Sequence, residues 1–236
     1  MYYNMIRKGV GKTTTMKEII LARKTKYFKN LDDLNFNAIL RCLNARIDSF
    51  SKGEFIVHMG DKISHAILVL SGSARSVTFD SEGNEYINLD FKKGNIFGIN
   101  DIIIQNKNYS DSLFCLEDTV VLYLDKFRLL NPTQNRCQRH IELMKACFEE
   151  LARQNKEIEI HKNILLLSKT KDKILAYLNY YSHYVKSNSF EIPYSREEFA
   201  IYLGVERSAL SDTLSKMKKV GLIDYNRSNF KIKNID

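Results

Sequence analysis

The most restrictive stretch of the chain runs from Ser195 to Gly221. It opens on Ser195-Arg196-Glu197-Glu198, the spacing of a capping box, in which hydroxyl and carboxylate each take up the other's free backbone N–H. A short helix to about Tyr202 follows. It is ended by Leu203-Gly204-Val205, where glycine takes the left-handed conformation that closes a helix. A second helix is predicted from about Glu206 to Val220, stopped by Gly221. Beyond it, Leu222–Tyr225 and Phe230–Lys233 read as strands on either side of Asn226–Asn229. Ahead of the stretch, Lys171–Lys186 is a helix with Ile174, Leu175, Leu178, Tyr181 and Tyr184 on one stripe, and Phe190–Tyr194 is a short extended run broken at Pro193. Helix, glycine turn, helix and hairpin in this order make a winged helix-turn-helix.

That assignment gives each residue of the second helix a side. Val205, Leu210 and Leu214 face inward, and Ala200 suits a close helix crossing. Glu206, Arg207, Ser208, Ser211, Asp212 and Ser215 are left facing outward, toward a major groove. Arg207 is the candidate for a bidentate contact to guanine. Ser208 and Ser211 suit bases or phosphates. Ser195, at a helix N-terminus, and Arg227, in the wing, suit phosphates, and Arg196 joins the same candidate set. Lys216, Lys218 and Lys219 are expected to be solvated or to touch the backbone. The rival is a winged helix used only for protein contacts.

Charge supports a polyanionic partner less directly than its total suggests. The chain carries +8, but residues 1–30 hold eight Lys/Arg against one Glu, whereas residues 170–236 hold eleven against eight acids. Residues 1–30 are therefore read as a basic tail, and Met16 as a candidate natural start. The tail contains Gly9-Val-Gly-Lys-Thr-Thr-Thr15, which lacks the first glycine of a phosphate-binding loop and has no βα units after it, so an ATPase is the least favoured class. Cys42, Cys115, Cys137 and Cys147 are too scattered for a metal or cluster site. No secretory signal or membrane-length apolar run occurs. The expectation is a cytoplasmic protein with reduced thiols, no cofactor, no metal, no membrane partner and no enzymatic activity.

From Ser51 the pattern changes to short apolar runs: Glu54–His58, Ala66–Leu70, Ala74–Phe79, Glu85–Asp90, Ser112–Leu116 and Thr119–Leu124. Glycine-rich turns separate them, which argues for a sandwich or small barrel. Leu31–Leu43 reads as an amphipathic helix packed upon it. The ordered set Lys52-Gly-Glu-Phe-Ile-Val-His-Met-Gly-Asp, Ile67-Leu-Val-Leu-Ser-Gly, Glu82-Gly-Asn-Glu and Lys93-Gly-Asn-Ile-Phe-Gly resembles the cyclic-nucleotide-binding β-roll. With Ser-Arg-Glu-Glu-Phe-Ala-x-x-Leu-Gly-Val-x-Arg-Ser-Ala-Leu-Ser at the C-terminal end, residues 31–234 resemble the family of the cyclic-AMP receptor protein and the fumarate–nitrate regulator (Crp/Fnr).

The resemblance implies an α+β fold: β-roll (jelly roll) over residues 31–134, dimerisation helix over 135–165, winged helix-turn-helix over 166–236. It also places an effector pocket at Gly98, Ile99, Asn100, Ser110, Asp111 and Ser112. Nucleotide binders of the family carry Glu after Phe-Gly and an Arg-Ser/Thr-Ala that pairs with the cyclic phosphate. Here Ile99 follows Gly98, and Asp111 stands in the second motif, where it repels a phosphate. Cyclic AMP is therefore not an expected ligand; the effector is another molecule, or there is none. His58 and His65 read as solvated rather than as haem or metal ligands. Asp212 is a further departure, since members often carry Arg there; it either accepts from cytosine or lies aside.

Between Asn135 and Leu165 there is neither Gly nor Pro, and Ile141, Met144, Phe148, Leu151, Asn155 and Ile158 alternate three- and four-residue steps. That is a heptad seam with Asn155 at an a-type position, where paired Asn residues fix parallel two-stranded register. An ordinary amphipathic helix on its own roll is the alternative. The expected protein is a homodimeric regulator on an inverted-repeat operator, touching RNA polymerase if it activates. The alternative is a small-molecule-binding roll whose winged helix meets proteins.

Overall fold

The computed structural model describes residues 7–8, 15–131 and 138–233. In chain order it contains β1 (Arg7–Lys8), α1 (Met16–Arg23), α2 (Asp33–Cys42), β2 (Arg46–Phe50), β3 (Phe55–Val57), β4 (His65–Ser71), β5 (Ser73–Phe79), β6 (Glu85–Lys92), β7 (Ile96–Phe97), α3 (Ile99–Ile103), β8 (Ser112–Cys115), β9 (Thr119–Asp125) and α4 (Lys126–Leu130). The long helix α5 (Gln138–Leu165) follows, then α6 (Thr170–Val185), β10 (Ser189–Glu191), α7 (Arg196–Leu203), α8 (Arg207–Lys219), β11 (Ile223–Asn226) and β12 (Asn229–Ile232). Two compact units result: Met1–Thr78 with Asn88–Asn155, and Phe79–Ile87 with Lys156–Asp236.

The first unit is the β-roll. One sheet has the order β1-β2-β9-β4-β7 and the other β3-β8-β5-β6. Its core is β4, where Ala66 to Leu70 are all fully buried, so both faces are covered and the run is continuously apolar rather than alternating. β4 pairs antiparallel with β9, with Ile67 opposite Tyr123 and Leu68 opposite Leu122. α2 is capped by Asp32, whose carboxylate accepts from the Asn35 N–H at 2.7 Å, and packs Phe36, Ile39 and Leu40 into the same core.

The expectation of a basic tail through residue 30 is corrected for its second half. Thr15 and Glu18 form a capping box that starts α1, and Ile19, Ala22, Tyr27 and Phe28 lie in the core of the roll. The capping signature and the i, i+3 spacing of Ile19 and Ala22 are visible in the sequence; the density of Lys and Arg masked them. The phosphate-loop-like run at residues 9–14, residues 135–137 of the expected long helix, and Cys137 lie outside the described residues.

The second unit packs Ile174, Tyr177, Leu178, Phe199, Leu203, Leu210, Leu214, Ile223 and Phe230 around one core. β12 is central in the sheet β10-β12-β11, with Phe230 opposite both Phe190 and Tyr225. This aromatic centre fastens the wing to α6 and α7.

Candidate nucleic-acid interface and effector loop

α7 is fixed at both ends. The Ser195 hydroxyl accepts from the Glu198 N–H at 3.2 Å, and the Ser195 N–H donates to Glu198 Oε2 at 2.7 Å. At the other end Gly204 sits at φ 59°, and a Cβ there would come within 3.2 Å of Leu165 Cδ2. The buried ammonium of Lys173 donates to the carbonyls of Leu203 at 2.9 Å and Gly204 at 3.4 Å. A cation thus meets the carbonyls that the end of a helix leaves unpaired. His161 fastens the same helix: its ring stacks on Tyr202 at 3.9 Å, and Nε2 donates to the Tyr202 carbonyl at 2.6 Å. Burial lowers the pKa of His161, and the hydrogen bond to that carbonyl opposes the shift.

α8 has two sides. Leu210, Leu214 and Met217 are buried, while Glu206, Arg207, Ser208, Ser211 and Asp212 are exposed. Arg207 lies 3.9 Å from Glu197 across open surface, a pair too solvated to hold it. Asp212 is engaged by Lys216 at 2.7 Å one turn further along. At the wing tip, Arg227 adopts φ 52° between the paired residues Asn226 and Asn229. Arg196 lies against the wing. Its guanidinium carbon stands 5.1 Å from the ring centroid of Tyr225 and 5.8 Å from that of Phe230, and Nη2 donates to the Arg227 carbonyl at 3.1 Å. Burial lowers the Arg196 pKa. Of the eight candidates, Arg196 is half-buried against the wing and the other seven are exposed, with Ser195 held in its capping box and Asp212 in its pair with Lys216.

In the roll, Gly98 caps α3 at φ 78°, and a Cβ there would lie 2.8 Å from Tyr109 Cε1. Tyr109 stacks on Phe97 at 5.6 Å, Phe97 meets Phe91 edge-on at 5.3 Å, and the Tyr109 hydroxyl donates to the His65 carbonyl. Burial pushes the Tyr109 phenol up to about 12. Ile99 is fully buried. Asn100 reaches Gln154 of α5 at 3.5 Å. The Ser110 hydroxyl donates to Asp101, which also accepts from Asn106 at 2.8 Å. Burial raises the pKa of Asp111, against hydrogen bonds from Asn88 and Ser76 that lower it. Ser112 Oγ accepts from the Met59 N–H at 2.8 Å. Nearby, the fully buried Arg75 grips Asp90 with Nε at 2.6 Å and Nη2 at 3.2 Å. Of the six pocket candidates, Asn100, Ser110 and Ser112 thus hydrogen-bond to protein groups, Asp111 is held by Asn88 of β6 and Ser76 of β5, Ile99 is buried, and Gly98 leaves no room for a side chain beside Tyr109.

The family model for the cyclic nucleotide-binding domain matches residues 47–135, and the one for the Crp-like helix-turn-helix domain matches residues 172–236. Together they span most of the chain in the expected order. The chain belongs to the Crp/Fnr family of transcription regulators. Among solved structures it is similar to FixK2 from Bradyrhizobium japonicum, at 20% identity over 80% of this chain and 93% of that one, with a TM-score of 0.62. It is similar to the c-di-GMP responsive global regulator CLP of Xanthomonas campestris, at 16% identity over 86% of this chain and 100% of that one, TM-score 0.71. It also resembles a CooA mutant from Carboxydothermus hydrogenoformans, at 20% identity over 84% and 87% of the two chains, TM-score 0.62. At these identities the likeness is one of fold. Among curated proteins, none matches in sequence.

At the loop expected to form the effector pocket, this roll places buried Ile99 and the ring of Tyr109 beside Gly98. Sequence reasoning missed Tyr109, Arg75, Lys173 and His161. Tyr109 adjoins the candidate Ser110, but its role depends on the packing against Gly98 and Phe97. The other three act by burial and partner, which no local pattern announces. Among the described residues no group of His, Cys, Asp and Glu is arranged to hold a metal ion, and no helix is long and apolar enough to cross a membrane.

Proposed function

We propose that this Crp/Fnr protein works as a homodimer that reads an inverted-repeat operator in the cytoplasm. The observation that carries the reading is the exposed row Glu206, Arg207, Ser208, Ser211 and Asp212 on α8, backed by buried Leu210, Leu214 and Met217. Arg207 meets guanine, Ser208 and Ser211 meet bases or phosphate, and Arg227 and the N-terminus of α7 meet backbone phosphates. Arg196 holds the wing so that Arg227 is presented.

Pairing is supported by α5. Leu143, Ala146, Cys147, Glu150 and Gln154 face the roll and are buried, whereas Ile141 and Phe148 are 54% and 57% exposed, and Asn155 and Ile158 are also exposed. Exposed apolar side chains at heptad spacing are what a second α5 would cover, with Met144 and Leu151 completing the seam. Two reading helices would then stand about one DNA turn, ~34 Å, apart. The effector is not a cyclic nucleotide, because Ile99, Tyr109 and Asp111 offer nothing to a cyclic phosphate; regulation comes from another ligand or is constitutive. Contact with RNA polymerase follows if the protein activates. Sedimentation of wild type and Phe148→Glu, each followed by titration with a selected duplex, tests the reading. The expected result is a dimer that binds, and a variant that is monomeric and binds weakly. A monomeric wild type that binds a single half-site would overturn it.

A further inference from the structure

We propose that the segment from Met16 to Leu31 is a strap that sets the seam face of α5, acting through Lys26 and Glu150 as positioning residues for dimerisation. The proposal rests on the dimer reading above. The strap is fixed in the roll by Ile19, Ala22, Tyr27 and Phe28. From it, Lys26 Nζ donates to Glu150 Oε2 at 2.8 Å. Glu150 is fully buried on the inner face of α5, and its carboxylate also accepts from Arg153 at 2.6 and 3.0 Å and from Gln154 at 3.0 Å. Gln154, buried as well, donates onward to the Ile96 carbonyl at 2.8 Å and faces Asn100 at 3.5 Å. A continuous polar chain therefore joins strap, long helix and effector loop.

Its position matters for pairing. Glu150 precedes Leu151, and Gln154 precedes Asn155, so each buried polar residue sits next to a seam residue, about 100° around the helix. Any rotation of α5 that frees Glu150 swings the seam by the same angle. Arg153 and Gln154 stay on Glu150 when Lys26 is lost, but a buried carboxylate with one cation fewer is less favourable, and loss of Lys26 therefore favours that rotation. The strap also carries its own reason to let go. Lys26 Nζ stands 5.3 Å from the centroid of the Tyr27 ring, and the Tyr27 hydroxyl is buried without a hydrogen-bond partner, a deficit that water repairs on release. In this proposal, strap engaged, as seen here, and strap released are the two arrangements between which the regulator switches.

The test uses the full chain with Lys26→Met, Lys26→Arg and Lys26→Met/Glu150→Gln, with circular dichroism to check folding. Hydrogen exchange across 141–155 and dimer dissociation by sedimentation are the readouts. Lys26→Met is expected to speed exchange and weaken pairing about tenfold, Lys26→Arg to behave as wild type, and the double variant to recover part of the loss because no buried carboxylate is left short of a cation. Should Lys26→Met unfold, recovery in the double variant still decides the matter. Wild-type exchange in Lys26→Met, or a double variant worse than the single, overturns the strap. A wild type that never dimerises overturns the dimer reading instead, and exchange then judges the strap by itself.

Discussion

Lys216 closes an ion pair on Asp212, with Nζ 2.7 Å from Oδ2, on the exposed side of α8. With α8 as the proposed reading helix, an acid there repels phosphate, and this lysine offsets part of that repulsion. Both groups are well exposed, so the pair adds at most about 0.5 kcal/mol to stability. Asp212→Ala should leave the unfolding midpoint unchanged and tighten binding to random duplex by roughly threefold at low salt. Fluorescence anisotropy at several salt concentrations checks it. Weaker binding, confined to sites with one particular cytosine, would instead make Asp212 a base reader.

Arg227 is strained. A non-glycine residue at φ 52° costs on the order of 1 kcal/mol, and glycine relieves it. Arg227→Gly should therefore raise stability slightly while weakening binding evenly across sequences and lowering the salt slope by about one. A stability gain without any loss of affinity would remove Arg227 from the interface.

Lys173 serves the turn rather than the DNA. Lys173→Met leaves the carbonyls of Leu203 and Gly204 without their donor and should destabilise the C-terminal unit by about 1–3 kcal/mol. Urea unfolding followed by tyrosine fluorescence reads this, and an unchanged midpoint would show that water replaces the ammonium.

His161 makes the C-terminal unit sensitive to acid. Burial lowers its pKa from the ordinary 6.5, so the unfolded chain binds the proton more readily than the folded one. Stability contributed by neutral His161 is present above pH 6.5 and is lost as pH falls from there toward the folded pKa. Thermal unfolding from pH 7.5 to 5 should show this decline in wild type and a flatter profile in His161→Gln. Parallel profiles would assign the decline to other groups.

How far the sequence discloses this molecule depends on how local each device is. The capping box at Ser195, the Gly204 turn and the apolar spacing of α8 are written in consecutive residues, and the winged helix-turn-helix emerges with its ends nearly correct. The six central strands of the roll were legible for the same reason, because each is an apolar run between turns. β2, with Ile47 its one fully buried residue, and the two-residue β7 carry too little pattern. α1 was obscured by charge. At the interface the outward row of α8 follows from periodicity alone. Arg196 illustrates the limit: it neighbours a cap residue in sequence, and only the fold brings it onto Tyr225 and the Arg227 carbonyl. Tyr109 and Arg75 likewise acquire their meaning from Gly98 and Asp90, partners 11 and 15 residues away.

Selection of bound duplexes from random DNA by the purified protein, with Arg207→Ala in parallel, tests the central claim most directly. The account predicts an enriched inverted repeat whose half-sites lie about one helical turn apart, and loss of one guanine preference in the variant. Enrichment of the same sequence by both proteins would contradict the assigned role of Arg207, and no enrichment by either would contradict DNA reading by this chain in its unliganded form.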